Sequence, residues 1–130
     1  MFEKYIIVED TLRNTELDGS ITGFQVGVRL PYYRGLGLSM VEAVEVSIDG
    51  ETMRAEDTSL TVHGNTYRLL DLPGIFDDRW EMGEVATVCI AKPGGLAEGE
   101  HEVAVVERLR VSYMPVPSGG ADRKKLALQA

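Results

Sequence analysis

The sequence is poor in the side chains that most often build metal and disulfide sites. Its 130 residues include one cysteine, Cys89, and two histidines, His63 and His101. A single cysteine excludes an internal disulfide and a multi-cysteine metal site, and it fits a reducing compartment. Neither histidine stands in a metal-binding spacing such as HxH or HExxH, so we interpret both as surface histidines.

Positive charge and long apolar runs are also scarce. There are 13 lysine and arginine residues against 21 acidic ones, so the net charge is −8. This balance repels nucleic-acid backbones and anionic membrane surfaces. No apolar run reaches the roughly 18 residues that a membrane span needs, and residues 1–10 lack the pattern of a signal peptide. We expect a cytoplasmic protein that binds neither nucleic acid nor membranes.

Signatures of catalysis are missing as well. Cys89 lies in an apolar segment, where a cysteine acts as a small, inert hydrophobe. No Gly-x-Ser-x-Gly motif occurs, and Gly35 and Gly37 lack the rest of a dinucleotide or phosphate-binding motif. Adjacent acids such as Asp77 and Asp78 are expected by chance among so many carboxylates. The residues therefore predict no catalytic group and no metal site in this chain, which favours a binding or accessory module.

The sequence does contain short strand-like segments separated by turn residues. Apolar-rich segments, most of them alternating with polar residues, cover 24–30, 44–48, 60–69, 85–90 and 101–113. This is the period of half-buried β-strands. Asp49-Gly50 and the turn at His63-Gly64-Asn65 fit hairpins. About seven strands predict an all-β fold, an antiparallel β-sandwich of immunoglobulin- or fibronectin-like shape with long end loops.

Three details of this fold are predicted less directly. A further strand is expected over 5–12, and a bulge is expected near Val106, which falls out of phase with its strand. A helix over 39–48 is the alternative to a strand there, but the alternation at positions 44, 46 and 48 favours the strand. Residues 1–116 would form the sandwich domain and 117–130 a polar C-terminal tail, either flexible or packed on a partner through Leu126 and Leu128.

Two loops carry the residue types that concentrate binding energy at protein interfaces. The first, 31–40, places two tyrosines and an arginine between proline and glycine. The second, 72–80, contains Ile75 and Phe76, which would form an apolar patch if exposed. It also contains the only tryptophan, Trp80, for which a place in the core and a place in the interface are equally favoured. The candidate interface residues are Tyr32, Tyr33, Arg34, Leu36, Met40, Phe76, Asp78, Arg79 and Trp80.

Several motifs resemble the small β subunit of bacterial C-glycoside deglycosidases. The main one is residues 22–40, with Phe24-Gln25 near its start and Pro31-Tyr32-Tyr33-Arg34-Gly35 in its second half. Residues 9–14, 99–103 and 110–115 add to the resemblance, which spans about residues 1–117.

The resemblance implies a complex that cleaves the carbon–carbon bond between a 3-oxo sugar and an aromatic aglycone. An α subunit would carry this lyase chemistry; it would be a TIM barrel similar to sugar isomerases and epimerases, with a divalent metal, Mn²⁺. This chain would be the non-catalytic accessory subunit, without a cofactor, and the candidate interface residues would contact the α subunit or its active-site rim. The alternatives are a stand-alone carbohydrate-binding sandwich and a purely structural subunit.

Overall fold

A computed structural model describes residues 6–30, 35–81, 83–110 and 118–129. Eleven strands lie in this part of the chain: β1 (Arg13–Leu17), β2 (Ser20–Val28), β3 (Leu36–Gly37), β4 (Val41–Ile48), β5 (Glu51–Thr52), β6 (Thr58–Val62), β7 (Asn65–Arg68), β8 (Arg79–Trp80), β9 (Ala86–Ala91), β10 (Glu100–Leu109) and β11 (Ser118–Ala127). Three short 3₁₀ helices connect them, at Leu38–Met40, Ala55–Asp57 and Leu69–Gly74. Within these ranges no helix is long and apolar enough to cross a bilayer.

The strands form antiparallel sheets around one core. The larger sheet has the order β1-β2-β9-β6-β7, the second has the order β11-β10-β4-β5, and β3 pairs with β8 alone. Buried side chains of both larger sheets belong to a single apolar cluster. The predicted all-β class with antiparallel sheets is therefore confirmed, and the arrangement is consistent with a sandwich. The immunoglobulin- or fibronectin-like subtype stays a prediction.

Local sequence explains the strands and turns that were predicted correctly. Alternate residues of β6 and β10 are buried, as the period of two requires. The turns at Asp49-Gly50 and His63-Gly64 have positive φ at both residues, 50° and 89° in the first and 35° and 88° in the second. Such turns match the twist of antiparallel hairpins. The segment 41–48 is strand β4, so the helix alternative is wrong.

A bulge lies near the predicted position, close to the end of β10. The register of β10 against β4 shifts between Arg108 and Leu109, where Glu42 of β4 is left without an opposite residue. Glu42 is therefore the extra residue of the bulge, and its side chain accepts two hydrogen bonds from the Arg110 guanidinium, at 3.0 and 2.7 Å. Val106 is exposed on the outer face of β10, as its phase requires.

The C-terminal segment differs from the predicted tail. Residues Ser118–Ala127 form β11, which pairs with β10 over ten residue pairs. Leu126 is buried in the chain's own core, and Leu128 is half-buried and packs against that core. The inward positions of β11 include glycine, aspartate and lysine, so its sequence lacks the apolar alternation of a strand. The strand forms because the edge of β10 supplies hydrogen-bond partners for its backbone.

The N-terminal segment connects the two larger sheets. The predicted strand over 5–12 is wrong in extent, because Ile7 makes only an isolated bridge to Val28 and β1 begins at Arg13. The backbone N–H of Ile7 donates to Asp122 at 2.9 Å, and Lys124 donates to the Ile7 carbonyl at 2.6 Å. Asp122 and Lys124 also form an ion pair at 3.5 Å. These side chains of β11 thus satisfy the backbone of a segment that belongs to the other sheet.

Glu107 is an exception to the apolar interior of β10. It occupies an inward position, is 2% exposed, and neither carboxylate oxygen has a hydrogen-bond partner in the described structure. Burial raises the pKa of Glu107 well above its usual range, because the charged form is poorly solvated there. A buried polar group without a partner costs stability.

Replacing Glu107 by methionine, a side chain of similar length, is expected to stabilise the protein at neutral pH. We expect Glu107→Met to raise the free energy of unfolding by about 1–3 kcal/mol at pH 7. The native state holds its Glu107 proton to higher pH than the unfolded chain, so the wild type gains stability as pH falls through the raised pKa. The advantage of the variant should therefore shrink toward acid pH in urea-unfolding curves.

A matched control is available on the neighbouring strand. Glu45 of β4 is an exposed glutamate beside Val106. Glu45→Met should change the free energy of unfolding by no more than about 0.5 kcal/mol. Equal effects of the two substitutions, or a destabilised Glu107→Met, would contradict the assignment of Glu107 as an unpartnered buried acid.

Candidate functional site

Two short strands join the loops that the sequence predicted as interface segments. β3 pairs with β8 through Leu36 opposite Trp80 and Gly37 opposite Arg79. The backbone N–H of Leu38 also donates to the carbonyl of Asp78 at 3.0 Å. This β3–β8 ribbon holds residues 35–38 against the Phe76–Trp80 loop, although the two lie far apart in the sequence.

Trp80 anchors the ribbon in the core. It is fully buried, and its indole N–H donates to the carbonyl of Glu84 at 2.9 Å. A Cβ at Gly35, the residue just before β3, would lie 3.1 Å from the Trp80 carbonyl oxygen and would overlap Oε1 of Glu81, so this position has little room for a side chain. The core interpretation of Trp80 is the one that the structure supports, and its ring is not available to a partner.

Asp78 links this loop to the hairpin of β6 and β7. Its Oδ2 accepts hydrogen bonds from the hydroxyl of Tyr67 at 2.5 Å and from the amide of Asn65 at 3.2 Å. Its Oδ1 accepts the backbone N–H of Arg79 at 2.8 Å and lies 2.6 Å from Nε2 of His63. The hydrogen bonds, with that of Tyr67 foremost, hold the pKa of Asp78 well below its usual range. The same bond raises the pKa of Tyr67 to about 12.

His63 stands between two carboxylates. Its Nε2 faces Asp78, and its Nδ1 lies 2.7 Å from Oε2 of Glu84. The other oxygen of Glu84 accepts the backbone N–H of Glu81 at 3.1 Å. Hydrogen bonds to Asp78 and Glu84 raise the pKa of His63 above its ordinary value, because they favour the charged imidazolium. The turn of β6 and β7 is thereby fastened to both sides of β8.

Exposed apolar side chains lie beside this fastened loop. Phe76 is 82% exposed and Leu70 is 56% exposed, near either end of the 3₁₀ helix Leu69–Gly74. Leu72, between them, is buried and attaches the helix to the core. A small groove of about 80 Å³ separates this helix from β4. A large exposed aromatic side chain next to a hydrogen-bonded loop is typical of a surface that binds another molecule.

The structure brings most of the predicted interface residues into one region. Leu36, Asp78, Arg79 and Trp80 meet at the ribbon, and Phe76 is exposed just before it. Arg79 is exposed and pairs with Glu81 at 3.0 Å. Met40 is half-buried in the 3₁₀ helix after β3. Tyr32, Tyr33 and Arg34 lie outside the described residues, so their placement stays a prediction.

Sequence reasoning missed His63, Tyr67 and Glu84 as members of this site. His63 and Tyr67 come from the β6–β7 hairpin and Glu84 from the segment after β8, and only the packing of the hairpin against the loop makes them neighbours. The one available signal was the position of His63 in a predicted hairpin turn, where its φ is 35°, a positive value that histidine adopts more readily than most residues. The surface interpretation is correct for His63 but wrong for His101, which is 9% exposed and bonded to Asp49 and the Ala97 carbonyl, each at 2.7 Å.

Neither metal binding nor nucleophilic chemistry is indicated by the described side chains. In these ranges no three His, Cys, Asp or Glu residues have an arrangement that could hold a metal ion. Both nitrogens of His63 are engaged, so it has no free lone pair to act as a base. Burial raises the pKa of the Cys89 thiol, which lowers its thiolate fraction.

The fold and the site together define a β-rich protein whose most developed feature is a braced surface loop. Comparison with known proteins then identifies its family. The family model described as C-glycoside deglycosidase beta subunit matches residues 2–113. The chain belongs to this family, as the resemblance predicted, and the family name implies a partner α subunit.

Individual relatives agree with this assignment. A C-glycoside deglycosidase beta subunit of Eubacterium cellulosolvens is 35% identical over 114 residues, which cover 87% of this chain and 78% of the relative. A 3'-dehydrocarminate deglycosidase beta subunit of a Microbacterium species is 33% identical over 117 residues, 89% of this chain and 83% of the relative. Among solved structures, the match to the CooA pilin subunit of enterotoxigenic Escherichia coli covers 96% of this chain and 98% of that chain at 12% identity, with a TM-score of 0.31.

Removing the Tyr67 hydroxyl is expected to loosen the Phe76–Trp80 loop. Tyr67→Phe deletes the shortest bond to Asp78 and leaves the ring in place. We expect hydrogen exchange of the Arg79 amide, which is bonded to Asp78, to become about fivefold faster. Thr66→Val is the matched control, because the Thr66 hydroxyl on the same strand bonds only to Thr61 among the described contacts. Unchanged Arg79 exchange in Tyr67→Phe would refute the bracing role of Asp78.

Proposed function

We propose that this chain is the accessory subunit of a complex that cleaves the carbon–carbon bond between a 3-oxo sugar and an aromatic aglycone. A metal-dependent TIM-barrel α subunit would carry out the reaction, and this chain would dock on it in the cytoplasm without contributing a catalytic residue. The family match over residues 2–113 is the observation that carries the proposal.

The substrate class is supported by chemistry and by a relative's name. A C-glycoside has no glycosidic oxygen to protonate, so the two-carboxylate route of ordinary glycosidases does not apply to it. The Microbacterium relative is named for a 3'-dehydro substrate, and a carbonyl at C3 of a sugar acidifies the proton on C2. A base can then remove that proton while the bond from C1 to the aglycone breaks and the aglycone carbon takes up a proton. A divalent metal on the α subunit, Mn²⁺ by family resemblance, would supply Lewis-acid stabilisation of the charge on oxygen.

The role of this chain would be to bind and cover the α subunit. Elimination from a keto sugar benefits from a site closed to water, where electrostatic contacts are stronger. The Phe76–Trp80 loop suits such docking, since it is braced on both sides of β8 and presents Phe76 to the outside. Tyr32, Tyr33 and Arg34 directly precede Gly35 of the same region in the sequence and remain the candidates for the active-site rim.

A stand-alone carbohydrate-binding module fits the described aromatic residues less well. Such modules stack sugars on a flat row of exposed rings. Of the four aromatic residues in the described ranges, Phe24 and Trp80 are buried, Tyr67 is hydrogen-bonded to Asp78, and Phe76 alone is well exposed. One exposed ring is better suited to filling a pocket on a protein partner.

Mixing the subunits tests the proposed function directly. The α subunit would be assayed on a 3-oxo C-glycoside, alone and with this chain, and this chain would also be assayed alone. We expect no aglycone release from this chain alone and a large increase when it is added to the α subunit. Bond cleavage by this chain alone would contradict the accessory role. Equal activity of the α subunit with and without it would contradict the proposal as a whole.

Truncating Phe76 is expected to weaken assembly. Phe76→Ala should raise the dissociation constant for the α subunit by about tenfold or more, as the loss of an aromatic anchor does. Leu17→Ala is the matched control, because Leu17 is also an exposed apolar residue, 67% exposed, but ends β1, the edge strand opposite β7 in the larger sheet. Titration calorimetry with the α subunit would measure both. If Leu17→Ala weakens binding and Phe76→Ala does not, the docking surface lies elsewhere on the chain.

A further inference from the structure

We propose that His63 is a positioning residue whose protonated form holds the Phe76–Trp80 loop in place for docking, so that assembly with the α subunit weakens as pH rises. The inference rests on the proposed function and adds to it a regulation of the same surface. It is carried by the contacts of both imidazole nitrogens.

Each nitrogen of His63 faces a carboxylate oxygen at a hydrogen-bond distance. Nε2 lies 2.6 Å from Oδ1 of Asp78, and Nδ1 lies 2.7 Å from Oε2 of Glu84. A carboxylate only accepts hydrogen bonds, so both nitrogens must donate. A neutral imidazole has one N–H, and only the imidazolium has two. With both carboxyl groups ionised, this arrangement therefore requires a protonated histidine.

These two contacts hold the loop from both sides. Asp78 lies inside the loop, and its carboxylate orients the backbone N–H of Arg79 at the start of β8. Glu84 lies after the loop, and it accepts the Glu81 N–H through its side chain and the Trp80 indole through its backbone. Loss of the His63 proton would leave one carboxylate facing a lone pair of the ring. One of the two connections would then open.

The other charged and titratable groups of this region define the pH range in which only His63 is expected to change its charge. Tyr67 and Asn65 contact Asp78 from β7, Arg79 pairs with Glu81, and Asp77 is exposed next to Asp78. The pKa of Asp78 is lowered and that of Tyr67 is raised to about 12, so neither group changes its charge near neutral pH. The pKa of His63 is raised above its ordinary value. Its contribution to the stability of the loop is therefore complete at pH values below the ordinary pKa and is lost as pH rises through the raised pKa.

The isolated chain provides the first test. Hydrogen exchange of the Arg79 and Leu38 amides, corrected for intrinsic rates, would be followed from pH 6 to 9 in the wild type and in His63→Asn. Asparagine cannot be protonated, and it tolerates the positive φ of 35° at residue 63. We expect protection to fall about two- to fivefold with rising pH in the wild type and to be low and independent of pH in the variant.

Two further variants test whether the pH dependence comes from His63. His101→Gln removes the only other histidine, which is bonded to Asp49 and Ala97 and not to this loop. It should keep the wild-type pH profile. Glu84→Gln keeps an acceptor for His63 but removes a negative charge, so it should move the transition to lower pH. A wild-type profile without a transition, or a transition that survives in His63→Asn, would overturn the inference.

Binding to the α subunit provides the second test, measured over the same pH range by titration calorimetry. We expect the wild-type dissociation constant to rise about two- to fivefold with pH and that of His63→Asn to stay constant. If exchange depends on His63 but binding does not depend on pH, the link to docking is wrong, while the accessory function stands on the mixing assay. A chain that never binds the α subunit would refute the proposed function, and the docking part of this inference with it.

Discussion

The carboxylate of Asp78 is the point on which the geometry of the proposed docking surface depends. It accepts hydrogen bonds from Tyr67, Asn65 and the Arg79 backbone, and it faces His63. Three of these partners lie on the β6–β7 hairpin, whereas Asp78 lies at the start of β8. The loop between the 3₁₀ helix Leu69–Gly74 and β8 has few backbone hydrogen bonds of its own, so side-chain hydrogen bonds must fix its position. Phe76 can remain exposed because the residues after it are held.

A similar use of side chains closes the body of the protein. Asp122 and Lys124 of β11 bond to the N–H and carbonyl of Ile7, a residue that pairs with β2 of the other sheet. Polar residues at inward positions of a strand would ordinarily be costly. Here they are satisfied by backbone groups that no strand reaches. Glu107 shows the contrast, since it occupies an inward position on β10 without any such partner in the described structure.

The sequence predicted those elements whose cause is local. The strands β4, β6 and β10 were recognisable from alternation, and the hairpins from Asp49-Gly50 and His63-Gly64, because period and φ preference act over a few residues. β11 was not recognisable, since its formation depends on the free edge of β10 and not on its own pattern. Trp80 was ambiguous for the same reason. A tryptophan after a charged loop suits a core or a surface equally until its neighbours are known.

The family could be read from motifs alone, and the lack of metal-ligand spacing already favoured an accessory role. Sequence by itself thus determined the β-strand content, the main turns, the acidic character and the kind of protein. Tertiary structure alone decided that residues 35–38 and 76–80 form one ribbon, that Trp80 is buried behind it, and that His63 braces it. The physical reason is that hydrogen bonds between side chains from separate segments depend on the folded distance between them, which no local residue pattern specifies.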